Sequence, residues 1–127
     1  MLIIVGCSDE KKLQKFKKEL EAGNHEVLAV SSKESWQNLI RDESYLRAEA
    51  VISEHWLNGF YGHDMVAKIG HHTPALIWNV KKNWFNVLTN KVLQLVSFPN
   101  TVFTCERVEV AEINKRADAL KVHEMVS

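Results

Sequence analysis

Glu54 is the residue of this chain whose position is most suggestive of chemistry. It directly follows a short apolar run, residues 50–53, and precedes a loop that contains Gly59 and Gly62. Open α/β sheets place their ligands and reacting groups at the carboxyl ends of the strands. Glu54 is therefore the first candidate functional residue, and its chemistry depends on the partner groups that neighbouring strand ends supply.

Five short apolar runs alternate with five helical patterns along the chain. The expected strands cover residues 2–5, 27–30, 50–53, 75–78 and 101–105. Ser8 and Ser31 are the expected N-caps of the first two helices, and the fourth helix is predicted over residues 82–96. Strict alternation with right-handed crossovers predicts a parallel sheet that has helices on both faces.

Composition limits the size, the partners and the compartment that we expect. A chain of 127 residues that is 46% hydrophobic fits one domain, residues 1–127. Basic and acidic residues balance at 16 each, so no net field favours nucleic acid or an anionic membrane as the partner. No window approaches the ~20 apolar residues of a membrane span. Two cysteines, Cys7 and Cys105, suit a reducing compartment, and we expect a cytoplasmic protein.

The register after the third predicted strand is the most specific motif. Four residues after Glu54 the chain reads Asn58-Gly59, and three residues later it reads Gly62, without a gap. This spacing resembles the receiver domain of bacterial response regulators, in which an aspartate ends the strand and Pro-Gly and a second glycine follow at these distances. The resemblance covers nearly the whole chain. It implies a flavodoxin-like (βα)5 three-layer sandwich with strand order 2-1-3-4-5.

The residues that phosphorylation requires in that family do not carry over. The acidic pair that holds magnesium is replaced by Gly6-Cys7, the phosphoacceptor aspartate by Glu54, the strand-four hydroxyl residue by Asn79 and the strand-five lysine by Cys105. Phosphoryl transfer depends on positioning and on charge neutralisation, and magnesium needs hard oxygen ligands. The resemblance therefore implies a degenerate phosphoacceptor pocket in a phosphorylation-independent signalling domain. We expect no enzymatic activity, no cofactor and no metal.

Two roles for Glu54 remain open at this point. Its carboxylate could fix the domain in one partly activated-like state by accepting hydrogen bonds from Asn79 and backbone amides, or it could be a solvated loop-edge group. Two other functions also remain open. One is a flavodoxin-like domain that binds a nucleotide or small ligand at the same edge, although a glycine-rich turn is missing. The other is an active receiver that uses Asp9 and Glu10, which suit the first turn of a helix better.

Aromatic residues predict an interaction surface. Trp84 and Phe85 open the fourth helix, and two adjacent apolar positions exceed what one core-facing stripe needs. The aromatic switch position of receivers falls on Val102. Receivers signal through the face made by helix four, strand five and helix five. The resemblance thus predicts a protein partner or homodimer contact there, with Trp84 expected in the core and Phe85 at the interface.

Four histidines lie close together in the sequence, at positions 55, 63, 71 and 72. Imidazole is a common ligand for zinc and copper. Two of these residues flank the loop at the carboxyl edge of the sheet, whereas the other two follow the third helix at the opposite edge. We therefore expect solvated loop histidines rather than a metal site.

Overall fold

The computed structural model describes residues 1–90 and 97–126, with side chains as far as residue 121. The strands and α-helices are β1 (Leu2–Gly6), α1 (Glu10–Ala22), β2 (Glu26–Val30), α2 (Lys33–Arg41), β3 (Ala50–Glu54), α3 (Gly62–Ile69), β4 (Ala75–Trp78), α4 (Lys82–Leu88), β5 (Thr101–Phe103) and α5 (Ile113–Val126). Short 3-10 helices cover Ser44–Arg47 and Val110–Glu112. Over the described ranges, no helix has the length and apolar content that crossing a membrane requires.

The five strands form one parallel sheet in the order β2-β1-β3-β4-β5, which confirms the predicted fold. Gly6 of β1 pairs with Ser53 of β3, and Glu54 of β3 pairs with Trp78 of β4. The carboxyl ends of these three neighbouring strands therefore lie side by side. Residues that follow β1, β3 and β4 can reach one another at this edge of the sheet.

Helices cover both faces of the sheet, because successive strand residues point to opposite sides. On one face, Ile3 and Ile52 pack with α1 and α5 through buried residues such as Phe16 and Ile113. On the other face, a second core joins the sheet to α2, α3 and α4. Its members include Ile4, Val51, Trp36, Met65 and Leu88. Burial on both sides explains why the strands read as continuous apolar runs.

The helix starts differ from prediction by one residue. Asp9, not Ser8, is the N-cap of α1, and its side chain accepts hydrogen bonds from two backbone amides. Ser32, not Ser31, is the N-cap of α2 and forms a capping box with Ser35. In each case the neighbouring polar residue caps the helix, so the predicted helix is present with a shifted start.

Helix α4 is shorter than predicted. It ends at Leu88, and the Thr89 hydroxyl donates to the Phe85 carbonyl at 2.7 Å, so this side chain competes for a helical acceptor. Threonine and asparagine, the next two residues, are weak helix formers. Residues 91–96 of the predicted helix lie outside the described residues.

Strand β5 is also shorter than predicted and ends at Phe103, two residues before Cys105. Beyond Phe103 the chain is no longer paired in regular register with β4. It instead accepts hydrogen bonds from the turn that follows β4. The Val80 amide donates to the Thr104 carbonyl at 2.9 Å, and the Asn79 amide donates to the Glu106 carbonyl at 2.8 Å.

The loop after β3 is closed by short hydrogen bonds. The Gly62 amide donates to the His55 carbonyl at 2.8 Å, and Trp56 and Tyr61 form an antiparallel bridge. Gly62 must lack a side chain, because a Cβ there would meet the Glu54 carbonyl and the Ser53 hydroxyl. The glycine spacing of the sequence motif thus reflects a close approach of α3 to the end of β3.

Candidate functional site at the carboxyl edge of the sheet

Glu54 ends β3 half-buried, and both of its carboxylate oxygens are held by protein donors. Oε1 accepts from the Ser8 amide at 2.9 Å and from the Ser8 hydroxyl at 2.8 Å. Oε2 accepts from Asn79 Nδ2 at 3.2 Å. The carboxylate is therefore hydrogen-bonded by the protein on both oxygens rather than solvated at a loop edge.

Ser8 is available to Glu54 because it lies just past β1. The preceding amide, that of Cys7, donates to the Val30 carbonyl at 3.0 Å and so prolongs the pairing of β1 with β2. This pairing holds the backbone in place one residue before Ser8. The serine that was expected to cap α1 therefore supplies two donors to a carboxylate 46 residues away.

Asn79 connects Glu54 to the segment that follows β5. Its backbone is left-handed, with φ at 57°, a conformation that asparagine tolerates better than most residues. In this conformation its side chain reaches Glu54, while its amide donates to the Glu106 carbonyl. One residue thus links the ends of β3, β4 and β5.

Gly6 and Cys7, which the resemblance aligns with the acidic pair of receivers, are closely packed. A Cβ on Gly6 would meet the Ser53 hydroxyl and would lie 2.8 Å from a methyl group of Leu57. Cys7 is a free cysteine that is 1% exposed, and burial raises its pKa to about 11. Because the thiolate is the reactive and metal-binding form, this thiol is inert at neutral pH.

A cleft of about 190 Å³ opens beside Glu54. Its walls are formed by Cys7, Ser8, Asp9, Lys12, Glu54, Trp78 and Arg107. Its cations come from Lys12 and Arg107, whereas Cys105, at the lysine position of receivers, is not among the lining residues. Lys12 Nζ lies 5.0 Å from the Trp78 ring centroid and 4.0 Å from Glu109 Oε2.

Sequence reasoning did not select Lys12 and Arg107 for this site. Lys12 belongs to a run of lysines that is typical of a solvated helix face, and its position one turn after Ser8 was the only available signal. Arg107 follows β5 by four residues and reaches the edge only through the path of the chain after the strand.

Asp9 and Glu10 both accept hydrogen bonds from other groups of the chain. Asp9 Oδ1 accepts from the Lys11 amide at 3.0 Å and from the Lys12 amide at 3.3 Å, as an N-cap does. Glu10 Oε1 accepts from the Ser31 hydroxyl at 3.4 Å. Within residues 1–90 and 97–121, whose side chains the structure describes, no three histidine, cysteine, aspartate or glutamate side chains gather in a way that could hold a metal ion.

The prediction of solvated loop histidines is wrong for His55, because only 2% of the surface of this residue is exposed to solvent. Its ring stacks on Tyr61 at a centroid distance of 4.9 Å and on His63 at 5.6 Å. Burial, followed by the charges of His63 and Lys81, lowers the pKa of His55 to about 4, and the Asp64 charge opposes this shift. Burial also lowers the pKa of His63.

The aromatic pair at the start of α4 is oriented opposite to the prediction. Trp84 is 38% exposed, whereas Phe85 packs against the core beneath α2, α3 and α4. Phe85 packs inward with buried Leu88, three residues later, whereas the Trp84 ring lies beside Tyr61 of the loop after β3. Val102, on edge strand β5, is 55% exposed.

Comparison with known proteins identifies the fold. Neither protein-family models nor the sequences of curated proteins match this chain. It is similar to a two-component response regulator from Clostridium difficile, with a TM-score of 0.69, 15% identity and coverage of 100% of this chain and 99% of that one. A CheY-like receiver domain protein from Methanospirillum hungatei JF-1 has a TM-score of 0.68, 16% identity and coverage of 99% and 98%.

A receiver domain protein from Clostridium thermocellum is similar to the same degree, with a TM-score of 0.66, 17% identity and coverage of 99% and 98%. These three matches span the whole length of the chain. They show that this chain has the fold of response-regulator receiver domains.

The hydrogen bonds to Glu54 predict an energetic coupling between Glu54 and Ser8. Ser8→Ala should lower the free energy of unfolding by about 1–2 kcal/mol, because it removes a hydroxyl donor to a charged acceptor. In a Glu54→Ala background the same substitution should cost almost nothing. Urea unfolding of the four proteins in this double-mutant cycle measures the coupling. An equal loss in both backgrounds would show that Ser8 acts independently of Glu54.

The burial of His55 predicts a pH dependence of stability. The folded state holds His55 neutral, so the unfolded chain binds an additional proton between about pH 6.5 and pH 4. The free energy of unfolding should therefore fall as the pH falls through this window, by about 2–3 kcal/mol from this residue. His55→Phe, which keeps a ring against Tyr61, should remove that part of the slope.

The control for this experiment is His72→Gln, which removes an exposed imidazole. Urea unfolding at half-unit intervals from pH 7.5 to pH 4 gives the slope for each protein. A slope that is unchanged in His55→Phe would contradict the assignment.

Proposed function

We propose that this chain is a receiver-like signalling domain that works without phosphorylation, through contacts with a protein partner or a second copy of itself. The observation that carries the proposal is the set of three hydrogen bonds that holds the Glu54 carboxylate at the phosphoacceptor position. A carboxylate that already accepts from Ser8 and Asn79 is a poor nucleophile toward a phosphodonor, because those donors stabilise its charge.

The charges around the cleft also support this proposal. Phosphoryl transfer needs a metal that neutralises the phosphoryl oxygens, and magnesium keeps nearly octahedral oxygen coordination. The end of β1 offers Gly6 and a buried neutral Cys7 instead of carboxylates. Asp9 does line the cleft, but one of its oxygens caps α1. Magnesium would therefore have to compete with the donors that hold both oxygens of Glu54, and Asp9 already uses one oxygen to cap α1.

The same contacts support a single fixed state of the domain. Glu54 joins Ser8, the second residue after β1, to Asn79, the first residue after β4, and the Asn79 amide extends this link to the segment after β5. In this view a permanent carboxylate takes the place of a transient phosphoryl group. The ends of the strands stay connected without any modification.

The output surface proposed for the domain lies on α4 and β5. Trp84 and Val87, three residues apart on α4, are 38% and 51% exposed, and Val102 of β5 is 55% exposed. Exposed tryptophan and aliphatic side chains are candidate anchors for a protein contact. We assign Trp84 rather than Phe85 to the interface, because Phe85 packs inward.

A nucleotide-binding function is less well supported. The cleft beside Glu54 measures about 190 Å³, below the range of about 300–1,000 Å³ that is usual for larger ligands. The turn after β1 reads Cys7-Ser8-Asp9 and lacks the glycines that let a backbone approach a phosphate.

Treatment with acetyl phosphate and magnesium should leave the intact mass of the protein unchanged. Rapid quenching and mass spectrometry measure this result, with an active receiver domain treated in parallel as the positive control. Glu54→Gln and Asp9→Asn should behave like the parent. A phosphoryl adduct on the parent that either substitution abolishes would identify the acceptor and contradict the proposal.

Substitutions on α4 should separate interface from core. Trp84→Ala should weaken self-association or partner capture, with a loss of stability below about 1 kcal/mol, because its side chain is partly exposed. Phe85→Ala should cost about 2–4 kcal/mol, because it truncates a ring packed on the core. Sedimentation over a concentration series, capture by the immobilised domain and urea unfolding measure these effects.

Leu46→Ala is the matched control for Trp84→Ala. Leu46 is 60% exposed but lies on the 3-10 helix between α2 and β3, away from α4. If Leu46→Ala reduced association as much as Trp84→Ala, the contact would be a general hydrophobic one rather than an interface on α4.

A further inference from the structure

A second cleft, here called the aromatic cleft, lies between the loop after β3 and the start of α4. It has a volume of about 250 Å³, and its lining residues are His55, Trp56, Tyr61, Lys81 and Trp84. It shares no lining residue with the cleft beside Glu54. The two clefts are therefore formed by different side chains. Because His55 directly follows β3, the aromatic cleft also lies at the carboxyl edge of the sheet, where α/β proteins bind ligands.

Three aromatic side chains surround the aromatic cleft at different angles. The rings of Trp56 and Tyr61 lie 5.0 Å apart at 66°, and those of Tyr61 and Trp84 lie 5.4 Å apart at 55°. Trp56 and Trp84 are 46% and 38% exposed. A flat apolar group that covered these faces would remove aromatic surface from water, which is favourable in proportion to the area.

The polar groups of the aromatic cleft favour an anion. The exposed ammonium of Lys81 stands at its rim, and none of its five lining residues is acidic. The nearby Asp64 carboxylate accepts from the Tyr61 amide at 3.4 Å, in the capping box of α3. His55 is neutral because burial lowers its pKa to about 4. Its buried Nε2 has no hydrogen-bond partner within the part of the chain that the structure describes.

We propose that the aromatic cleft binds a planar aromatic carboxylate. The ring would contact Trp56, Tyr61 and Trp84, the carboxylate would lie beside Lys81, and a polar atom of the ligand would pair with His55 Nε2. Aromatic side chains alone would also suit a quaternary ammonium group, but the Lys81 charge repels a cation. The volume is below that of sites for drug-sized molecules and suits one or two fused rings.

The four tryptophans of the chain allow a binding experiment with an internal control, because two of them line the aromatic cleft and two do not. Trp56 and Trp84 line the aromatic cleft, whereas Trp36 and Trp78 are buried elsewhere. We would titrate the full chain with 2-naphthoate and follow the four indole N–H signals by ¹H–¹⁵N NMR, assigned by single Trp→Phe variants. The expected result is a saturable shift of the Trp56 and Trp84 signals only. No shift, or equal shifts of all four signals, would overturn the proposal.

The role of the charge is tested with a second ligand and a pair of variants. 2-Naphthalenemethanol, which has the same ring system without the carboxylate, should bind about two- to fivefold more weakly than 2-naphthoate, as expected for one exposed ion pair. Lys81→Gln should lower 2-naphthoate affinity by the same factor and leave 2-naphthalenemethanol binding unchanged. Lys82→Gln, the adjacent exposed lysine that does not line the aromatic cleft, is the control.

Three outcomes would each overturn the assignment of an anionic ligand. They are equal affinity for the two naphthalene compounds, equal effects of Lys81→Gln and Lys82→Gln, and tighter binding of benzyltrimethylammonium than of 2-naphthoate. This proposal goes beyond the signalling function, so failure of 2-naphthoate to bind would leave the phosphorylation and interface predictions standing.

Discussion

The half-buried Glu54 carboxylate is the constraint on which the carboxyl edge of the sheet depends. A carboxylate that is partly removed from water must be hydrogen-bonded or neutralised, because an unpaired buried charge is costly. Ser8 and Asn79 supply three hydrogen bonds, and the Asn79 backbone also binds the Glu106 carbonyl. The Glu54 carboxylate, directly and through Asn79, therefore connects the end of β3 with the segments that follow β1, β4 and β5. Removing either partner would leave the other with an unsatisfied group, so these residues are expected to behave as one unit.

The edge of the sheet divides into a polar half and an aromatic half, and the division begins between two successive residues. Side chains alternate along a strand, so Glu54 continues the face of Ile52 toward α1, whereas His55 continues the face of Val51 toward α3 and α4. Glu54 consequently meets hydrogen-bond donors and the cations of α1 and the β5 loop. His55 meets aromatic rings and is kept neutral by burial. Two sites of opposite character can thus coexist at one strand end.

The features that specify the fold of this protein are distinct from the side chains at its strand ends. The fold rests on continuous apolar strands and on helices that cover both faces, and these features are complete here although identity to the solved receivers is only 15–17%. The chemistry that the resemblance implies for receivers rests on a few side chains at the strand ends, and this chain has Gly6, Cys7, Glu54, Asn79 and Cys105 at the corresponding sequence positions. Cations at this edge are still present, but they come from Lys12 and Arg107 rather than from the end of β5. A fold can keep its architecture while its site changes, because different residues specify the two.

The sequence by itself determined the architecture. Apolar runs of strand length, separated by helical periodicity, allow few arrangements other than a parallel sheet with two helical layers. The glycine spacing after Glu54 also predicted the loop correctly. Local choices between neighbouring residues could not be predicted, as for Ser8 or Asp9 at the cap and Trp84 or Phe85 in the core, because distant partners decide them. Only the tertiary structure brought Lys12, Glu54 and Arg107 to one cleft and buried His55 against Tyr61. Such contacts join residues far apart in the chain or depend on the path of a loop, and no local periodicity records them.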